Sequence, residues 1–501
     1  MAPHLKAMSA VWYIGQSDSH VPAAQAAEAA WKAAFPPHKL AGAVDFCRTE
    51  ILAMVKENLL TATPQSLSDP KTTPAEEMEA KYVRTVAMSL ISYANLLEAV
   101  QKLDPEKHKD LLDSPKFWKL SKHKAVSVRK SYFTALTQLC VKLPESVTSR
   151  GEKAAPSVLS NLQDTEAGDA MYTCVLQFLS VLPSAWQLVN PQKAVFPGLW
   201  KLLSNGADGA IKRVGPYLMP FLSKIPVDVM EDCDKFINRW FTSMMEGWAV
   251  VSKGRSVSDT EVVIKSFLEC IFFVLNCKDF ELNLKQQLVR ETLVPAFEKF
   301  DMTNAVLNNL SEYLRYWDRN SASKGEIAQL NNLLWSELKY TSLSNDICVG
   351  FLISLGLSME KFKEEKGPEH KTKPVTELIK IYQAIWTAEI DKLTDEVPLK
   401  SLEILNKILL NFGKYQEIFR KDQSYDFYKE NVLPLLGNIG LEEVLTRFSW
   451  AVALNSSEDD AIRIVKDFFK ERKIHLYIRY DTICQFKDLI CLIRDIFYTG
   501  K

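Results

Sequence analysis

SPKFWKLSKHKAVSVRKSYFTALTQLCVKL, Ser114 to Leu143, sets Val128, Tyr132, Leu136, Leu139 and Leu143 at steps of four, four, three and four. That spacing turns one helical face towards a core and leaves the opposite face polar. The stretch contains no Asp or Glu, yet holds Lys116, Lys119, Lys122, Lys124, Arg129, Lys130 and Lys142, with His123 among them. A cationic, amphipathic segment of this kind has to pack on something. Its basic side chains either keep a surface solvated or meet an anionic partner, such as RNA phosphates or an acidic protein face. Phe117-Trp118, just ahead of the lysines, reads either as core or as an aromatic shelf beside phosphate-contacting side chains.

The same period of three to four recurs along the chain. From Leu40, the positions Val44, Cys47, Ile51, Val55 and Leu59 keep it, and the preceding AAQAAEAAWKAAF run stops at Pro36-Pro37. Thr73, Pro74 and Glu76 predict a capping box ahead of a helix running to Val100, and Ser258 with Glu261 predicts another before VVIKSFLECIFFVL. Leu402, Leu405, Leu409 and Phe412 form a further stripe that Gly413 can close. Alternating strand patterns are almost missing, so the expectation is an all-α protein. Helices of about 12 to 20 residues with short breaks suggest stacked hairpins, a HEAT/ARM-like α-solenoid, with a globular bundle as the alternative. Val251 to Asp259 and Glu364 to Lys373 lose the periodicity and gain Gly, Ser and charge, which marks them as segment breaks.

Composition limits the function classes. The 501 residues exceed one ordinary core, and a hydrophobic fraction of 47% with 25% charged residues fits an ordered chain. A formal charge of -1 means that any anionic partner must be met locally. Apolar runs such as Cys270 to Leu275 fall short of the roughly 18 residues that span a bilayer, and Met1 to Trp12 lacks the core of a signal peptide. These features place the protein in the cytosol or nucleus, and the sequons at Asn309 and Asn455 read as unused surface Asn.

Catalytic and metal chemistry find little support. The nine Cys form no Cys-x2-Cys pair, and Cys270/Cys277 and Cys484/Cys491 are each seven apart, two turns along a helix and too distant for one tetrahedral site. Each Cys lies in an apolar pattern that raises its pKa and suits a buried thiol better than a nucleophile. Asn205 to Arg213, NGADGAIKR, lacks the spacing of a phosphate loop and reads as a turn between helices. Most of the Trp residues fall within helical stripes and read as core.

Several blocks occur in an order that resembles the amino-terminal HEAT-rich region of listerin, the RING-type E3 ubiquitin ligase of ribosome-associated quality control. They are APHLKAMSAVW (Ala2 to Trp12), PAAQAAEAAWKAAFPPHK (Pro22 to Lys39), FCRTEI (Phe46 to Ile51) and TPQSLSDPKTTPAEEMEAKYVR (Thr63 to Arg84). SPKFWKLSKHKAVSVRKSYF and VFPGLWKLLSNGADGAIKRVGPYLMPFLSKIP (Val195 to Pro226) continue the order, and from about Ser258 the resemblance thins. On this reading residues 1–250 are the listerin-like N-terminal HEAT-repeat region. Residues 260–363 carry continuing helical repeats, and 374–501 a further helical-repeat segment.

The resemblance implies a part on the 60S ribosomal subunit after a stalled ribosome splits, docking rRNA and ribosomal proteins and the cofactor NEMF, called Rqc2 in yeast. In the family a distant RING ubiquitinates the stalled nascent chain. That RING is built on zinc held by closely spaced Cys and His, a pattern this sequence lacks. An E2 would be reached only through that RING, so no ligase activity is expected of this chain alone, and no cofactor. Met1 falls inside the family's amino-terminal region, so the expectation is a partial chain, a truncated gene product or an unusual isoform. The expected contact residues are Lys116, Lys119, Lys122, Lys124, Arg129 and Lys130. Rivals are a karyopherin-like receptor and an unrelated HEAT-repeat scaffold without RNA contact.

Overall fold

The computed structural model describes residues 5–300 apart from Arg255, six residues between Val306 and Trp317, and 325–338. Every regular element among the described residues is helical. The first helices are α1 (Leu5–Gly15), α2 (Val21–Ala34) and α3 (Leu40–Lys56). Then come α4 (Pro64–Leu67), α5 (Ala75–Ala99), α6 (Pro105–Asp113), α7 (Pro115–Lys119) and α8 (Val126–Lys142). The chain continues through α9 (Pro144–Thr148), α10 (Gly151–Leu159), α11 (Gly168–Val181), α12 (Pro191–Ala194) and α13 (Phe196–Ser204). It runs on through α14 (Ile211–Leu222), α15 (Cys233–Lys253), α16 (Val257–Asn276), α17 (Leu282–Leu288) and α18 (Val294–Lys299).

The chain divides after Phe280. In the first unit the helices form two rows. α5, α8, α11, α14 and α16 pack each on the next, and the intervening α7, α10, α13 and α15, with the 3-10 turn Pro183–Leu188, form the second row behind them. Contacts at matching ends show that the front-row helices run parallel. Lys124 at the start of α8 pairs with Glu79 near the start of α5, and Lys142 at its end reaches the Glu98 carbonyl near the end of α5. Lys212 on α14 likewise meets Asp259 on α16 at 3.1 Å. This is the stacked-hairpin architecture of an α-solenoid, in which every helix buries its apolar stripe against its neighbours in sequence order.

The stripes do the packing that their spacing predicts. Val128, Tyr132, Leu136 and Leu139 of α8 are fully buried, and Leu143 nearly so. Cys47, Ile51 and Val55 of α3 are buried too, whereas Val44 is half-buried and Leu59 sits in a π turn that continues α3. α2 ends where Phe35 becomes extended ahead of Pro36, as a residue before proline must. Trp31 stacks there between Tyr13 and Phe35, with ring centroids 5.4 and 4.8 Å apart.

Two expected caps move. α5 starts one residue later than the Thr73 box requires, with Pro74 at the cap and no side-chain bond. Proline's ring fixes φ near the -57° that the chain adopts there, so the position is tolerated without a side-chain cap. α16 starts earlier than expected: Ser256, not Ser258, accepts from the Asp259 N–H at 3.4 Å. Only residues 254–256 separate α15 from α16, which pack together as a hairpin. The Glu364–Lys373 break and the Leu402–Gly413 stripe lie outside the described residues.

The NGADG turn between α13 and α14 has an uncommon backbone. Gly206, Ala207, Asp208 and Gly209 all have positive φ, at 61°, 55°, 49° and 81°. Gly206 has little alternative: a Cβ there would lie 3.0 Å from the Gly247 carbonyl oxygen and closer still to the Val251 side chain. α15 therefore passes this turn with glycine facing glycine.

In the second unit, Lys285 of α17 is buried but pairs with Glu326 at 2.6 Å, on the helix Glu326–Leu338. Arg290 meets Glu337 of that helix at 3.0 Å.

Candidate docking surface

The stretch Ser114–Leu143 is two helices joined by a bend. Ser114 caps α7, its hydroxyl accepting from the Lys116 N–H, and Pro115 occupies the first turn. Leu120–Lys122 tightens into a 3-10 turn, the chain bends at His123–Ala125, and α8 follows. His123 Nδ1 accepts from the Ala125 N–H at 3.1 Å, and its half-burial holds its pKa below the usual histidine range. Phe117 and Trp118 form no exposed shelf. Phe117 lies in the core against Tyr132, ring centroids 5.3 Å apart, and Trp118 donates its indole N–H to the Leu112 carbonyl at 2.7 Å. An aromatic pair on so short a helix is needed for packing, since α7 has little else to bury.

The six basic residues separate into two groups. Arg129 is only 13% exposed and fully engaged. Its guanidinium grips the Asp164 carboxylate through Nε at 2.5 Å and Nη2 at 3.1 Å. Nη2 also donates to Glu166 at 2.8 Å, while Nη1 donates to the His123 and Lys124 carbonyls at 2.9 and 3.0 Å. It locks the bend before α8 to the loop before α11. Lys116 donates to the Leu60 carbonyl at 2.5 Å, and Lys124 is paired with Glu79 at 2.8 Å. Lys119, Lys122 and Lys130 are exposed and make no ion pair with a described residue. The structure therefore brings Lys119 and Lys122 together at the turn after α7, and Lys130 one turn into α8.

Sequence reasoning missed Arg213. It is exposed at the start of α14 and lies against Gly168 at the start of the neighbouring α11. The signal was present, because α8, α11 and α14 contain five basic residues and a single acid, Asp169. Only the helix order makes that one surface.

Burial pushes the Cys140 thiol up to about 12, and Cys174 and Cys270 above the usual thiol range, so none is poised as a thiolate. Among the described residues no cluster of His, Cys, Asp and Glu could hold a metal ion, and no helix is long and apolar enough to cross a membrane.

Parallel helices stacked into two rows define an α-solenoid of stacked helical hairpins. Its family follows from comparison with known proteins. The family model described as the E3 ubiquitin-protein ligase listerin N-terminal domain matches residues 1–225. Mouse E3 ubiquitin-protein ligase listerin is 34% identical over 362 residues, which is 70% of this chain and 20% of that protein. The listerin of Xenopus tropicalis is 31% identical over 69% of this chain and 22% of its own length, and that of Drosophila melanogaster 26% identical over 73% and 22%. The chain belongs to the listerin family, matched in its amino-terminal region, and spans about a fifth of the length of these relatives.

Proposed function

We propose that this chain is a docking scaffold of the ribosome quality control machinery, binding the 60S subunit and NEMF for a ubiquitin ligase whose RING lies outside these residues. Its relatives are named E3 ubiquitin-protein ligases, and the part they share with it includes their N-terminal domain. The observation that carries the reading is that match over residues 1–225, joined to unpaired cations on the same domain. Stacked hairpins supply a long surface from local contacts alone, as a large particle requires of an anchor.

Lys119 and Lys122 are the first candidates for rRNA phosphate, since their charges are not spent inside the protein. Arg129 holds the fold beneath them, and Lys116 and Lys124 are tied to a carbonyl and a carboxylate. A RING further along the ligase would carry the zinc, reach the E2 and act on the stalled nascent chain in the cytosol. The test is sedimentation of the purified chain with 60S subunits, 40S subunits and 80S ribosomes, with and without NEMF. Selective migration with 60S, strengthened by NEMF, is expected; a chain that stays at the top of every gradient contradicts the reading.

A further inference from the structure

Across the front row, away from the second row of helices, α5, α8 and α11 each expose one stripe. The stripe of α5 includes Met88, Ile91 and Asn95; that of α8 includes Thr134 and Gln138; that of α11 includes Thr173 and Gln177. The register of these parallel helices follows from their contacts. Lys142 Nζ donates to the Glu98 carbonyl 44 residues earlier, which puts Gln138 within a turn of Asn95. The Thr137 side chain lies close to Cys174, which puts Gln177 within a turn of Gln138. Three carboxamides thus line up across three adjacent helices, and none is engaged in a hydrogen bond within the described residues.

The hydroxyl groups of α8 and α11 on this face are already satisfied. Thr134, Thr137 and Ser180 donate to the carbonyls of Lys130, Phe133 and Leu176, four residues back in their own helices. The carboxamides are therefore left as the open donor and acceptor pairs, and a carboxamide matches a peptide group in both roles. Neighbouring helix axes lie about 8–10 Å apart. Three residues of a polyproline II-like chain advance about 9 Å and return the same side of the backbone each time. One carboxamide per helix therefore meets one peptide group in every three.

Charge selects among polypeptides. α8 and α14 contain no carboxylate and α11 has only Asp169, and the four glutamates of α5 lie at its two ends, Glu79 paired with Lys124 and Glu98 beside Lys142, whereas Lys130 and Arg213 stand unpaired about two turns from the carboxamides. Among the described residues of these helices no aromatic ring is exposed to offer a base a stacking platform: Phe117 and Trp118 beside them are buried too, and the half-buried Tyr217 is already stacked on Tyr172 at 5.7 Å. We propose that this face binds an extended acidic polypeptide, its main chain paired with Asn95, Gln138 and Gln177 and its carboxylates drawn to Lys130 and Arg213.

The test uses the full chain and fluorescence polarisation of a labelled peptide of alternating Ser and Glu, about twelve residues long so that it crosses all three helices. An equally long Ser-Lys peptide and an oligouridylate serve as competitors. The acidic peptide is expected to bind. Combining Asn95→Ala, Gln138→Ala and Gln177→Ala should weaken it at least tenfold with no change in thermal unfolding, since all three side chains reach solvent. Arg213→Glu, remote from the carboxamides, should weaken it severalfold, and Lys119→Glu with Lys122→Glu should leave it unchanged. The proposal is overturned if the acidic peptide binds no better than the Ser-Lys peptide. It is equally overturned if the carboxamide variant binds as the unmodified chain does, or if oligouridylate binds more tightly and displaces the peptide. None of these results depends on 60S binding.

Discussion

Replacing Arg129 with Ala should destabilise the first unit more than any other single charge removal in the basic stretch. Three anchors are lost together: the two-pronged grip on Asp164, the bond to Glu166 and the two carbonyls at the α8 bend. Hydrogen bonds to charged groups are each worth about 1.5–3 kcal/mol, but the Glu166 side chain is 67% exposed and screened, so its bond adds less than about 1 kcal/mol. Asp164 is only 12% exposed and keeps one other partner, the Ala167 N–H at 3.1 Å. Losing the main pair therefore costs about 3 kcal/mol, at the lower end of the range for a wholly buried pair. For a unit of this size that is a fall in melting temperature of about 6–12 °C. Circular dichroism melts of Arg129→Ala, Asp164→Asn and the double variant supply the measurement. The double variant should lose much less than the sum, because the two side chains share one interaction. A melting temperature within a degree of the unmodified chain for Arg129→Ala would refute the reasoning.

Acid should weaken the first unit through His108. Burial, reinforced by Lys56, lowers its pKa to about 4, and its Nδ1 is bonded to the Tyr93 hydroxyl at 2.8 Å. The unfolded chain takes up a proton near pH 6.5 while the folded one resists it, so stability falls as pH drops through that window. Urea midpoints should show a loss of about 2 kcal/mol between pH 7 and pH 5, absent in His108→Gln. Gly247→Ala should cost at least about 3 kcal/mol or prevent folding, because the new Cβ would meet the Leu203 carbonyl, a backbone atom with nowhere to go. Its check is soluble yield and the melting curve, and a yield and melt equal to the unmodified chain would contradict it. Lys124→Glu, facing Glu79, should lose about 1 kcal/mol in the same melts, and an unchanged melt would mean that this exposed pair contributes nothing.

The apolar steps of α8 and α3 were legible because a helix repeats its buried face within a few residues. Phe117 and Trp118 were ambiguous for the converse reason: α7 is five residues long, and no period can be read from so short a run. Caps failed by one or two residues where several Ser and Thr compete, as at Ser256 and Ser258. Arg129 could not be told from the free lysines, since its partners Asp164 and Glu166 come to it only through helix stacking. The same holds for Asn95, Gln138 and Gln177, which lie in line only because successive hairpins run parallel.

The central claim, that unpaired cations of this scaffold dock on the phosphates of 60S subunits, is tested most directly by the salt dependence of that binding. Each phosphate contact contributes about 0.7–0.9 to the slope of log affinity against log salt. Combining Lys119→Glu with Lys122→Glu should lower the slope by about two and weaken binding at physiological salt, while the melting temperature stays unchanged. An unaltered slope and affinity would contradict the account.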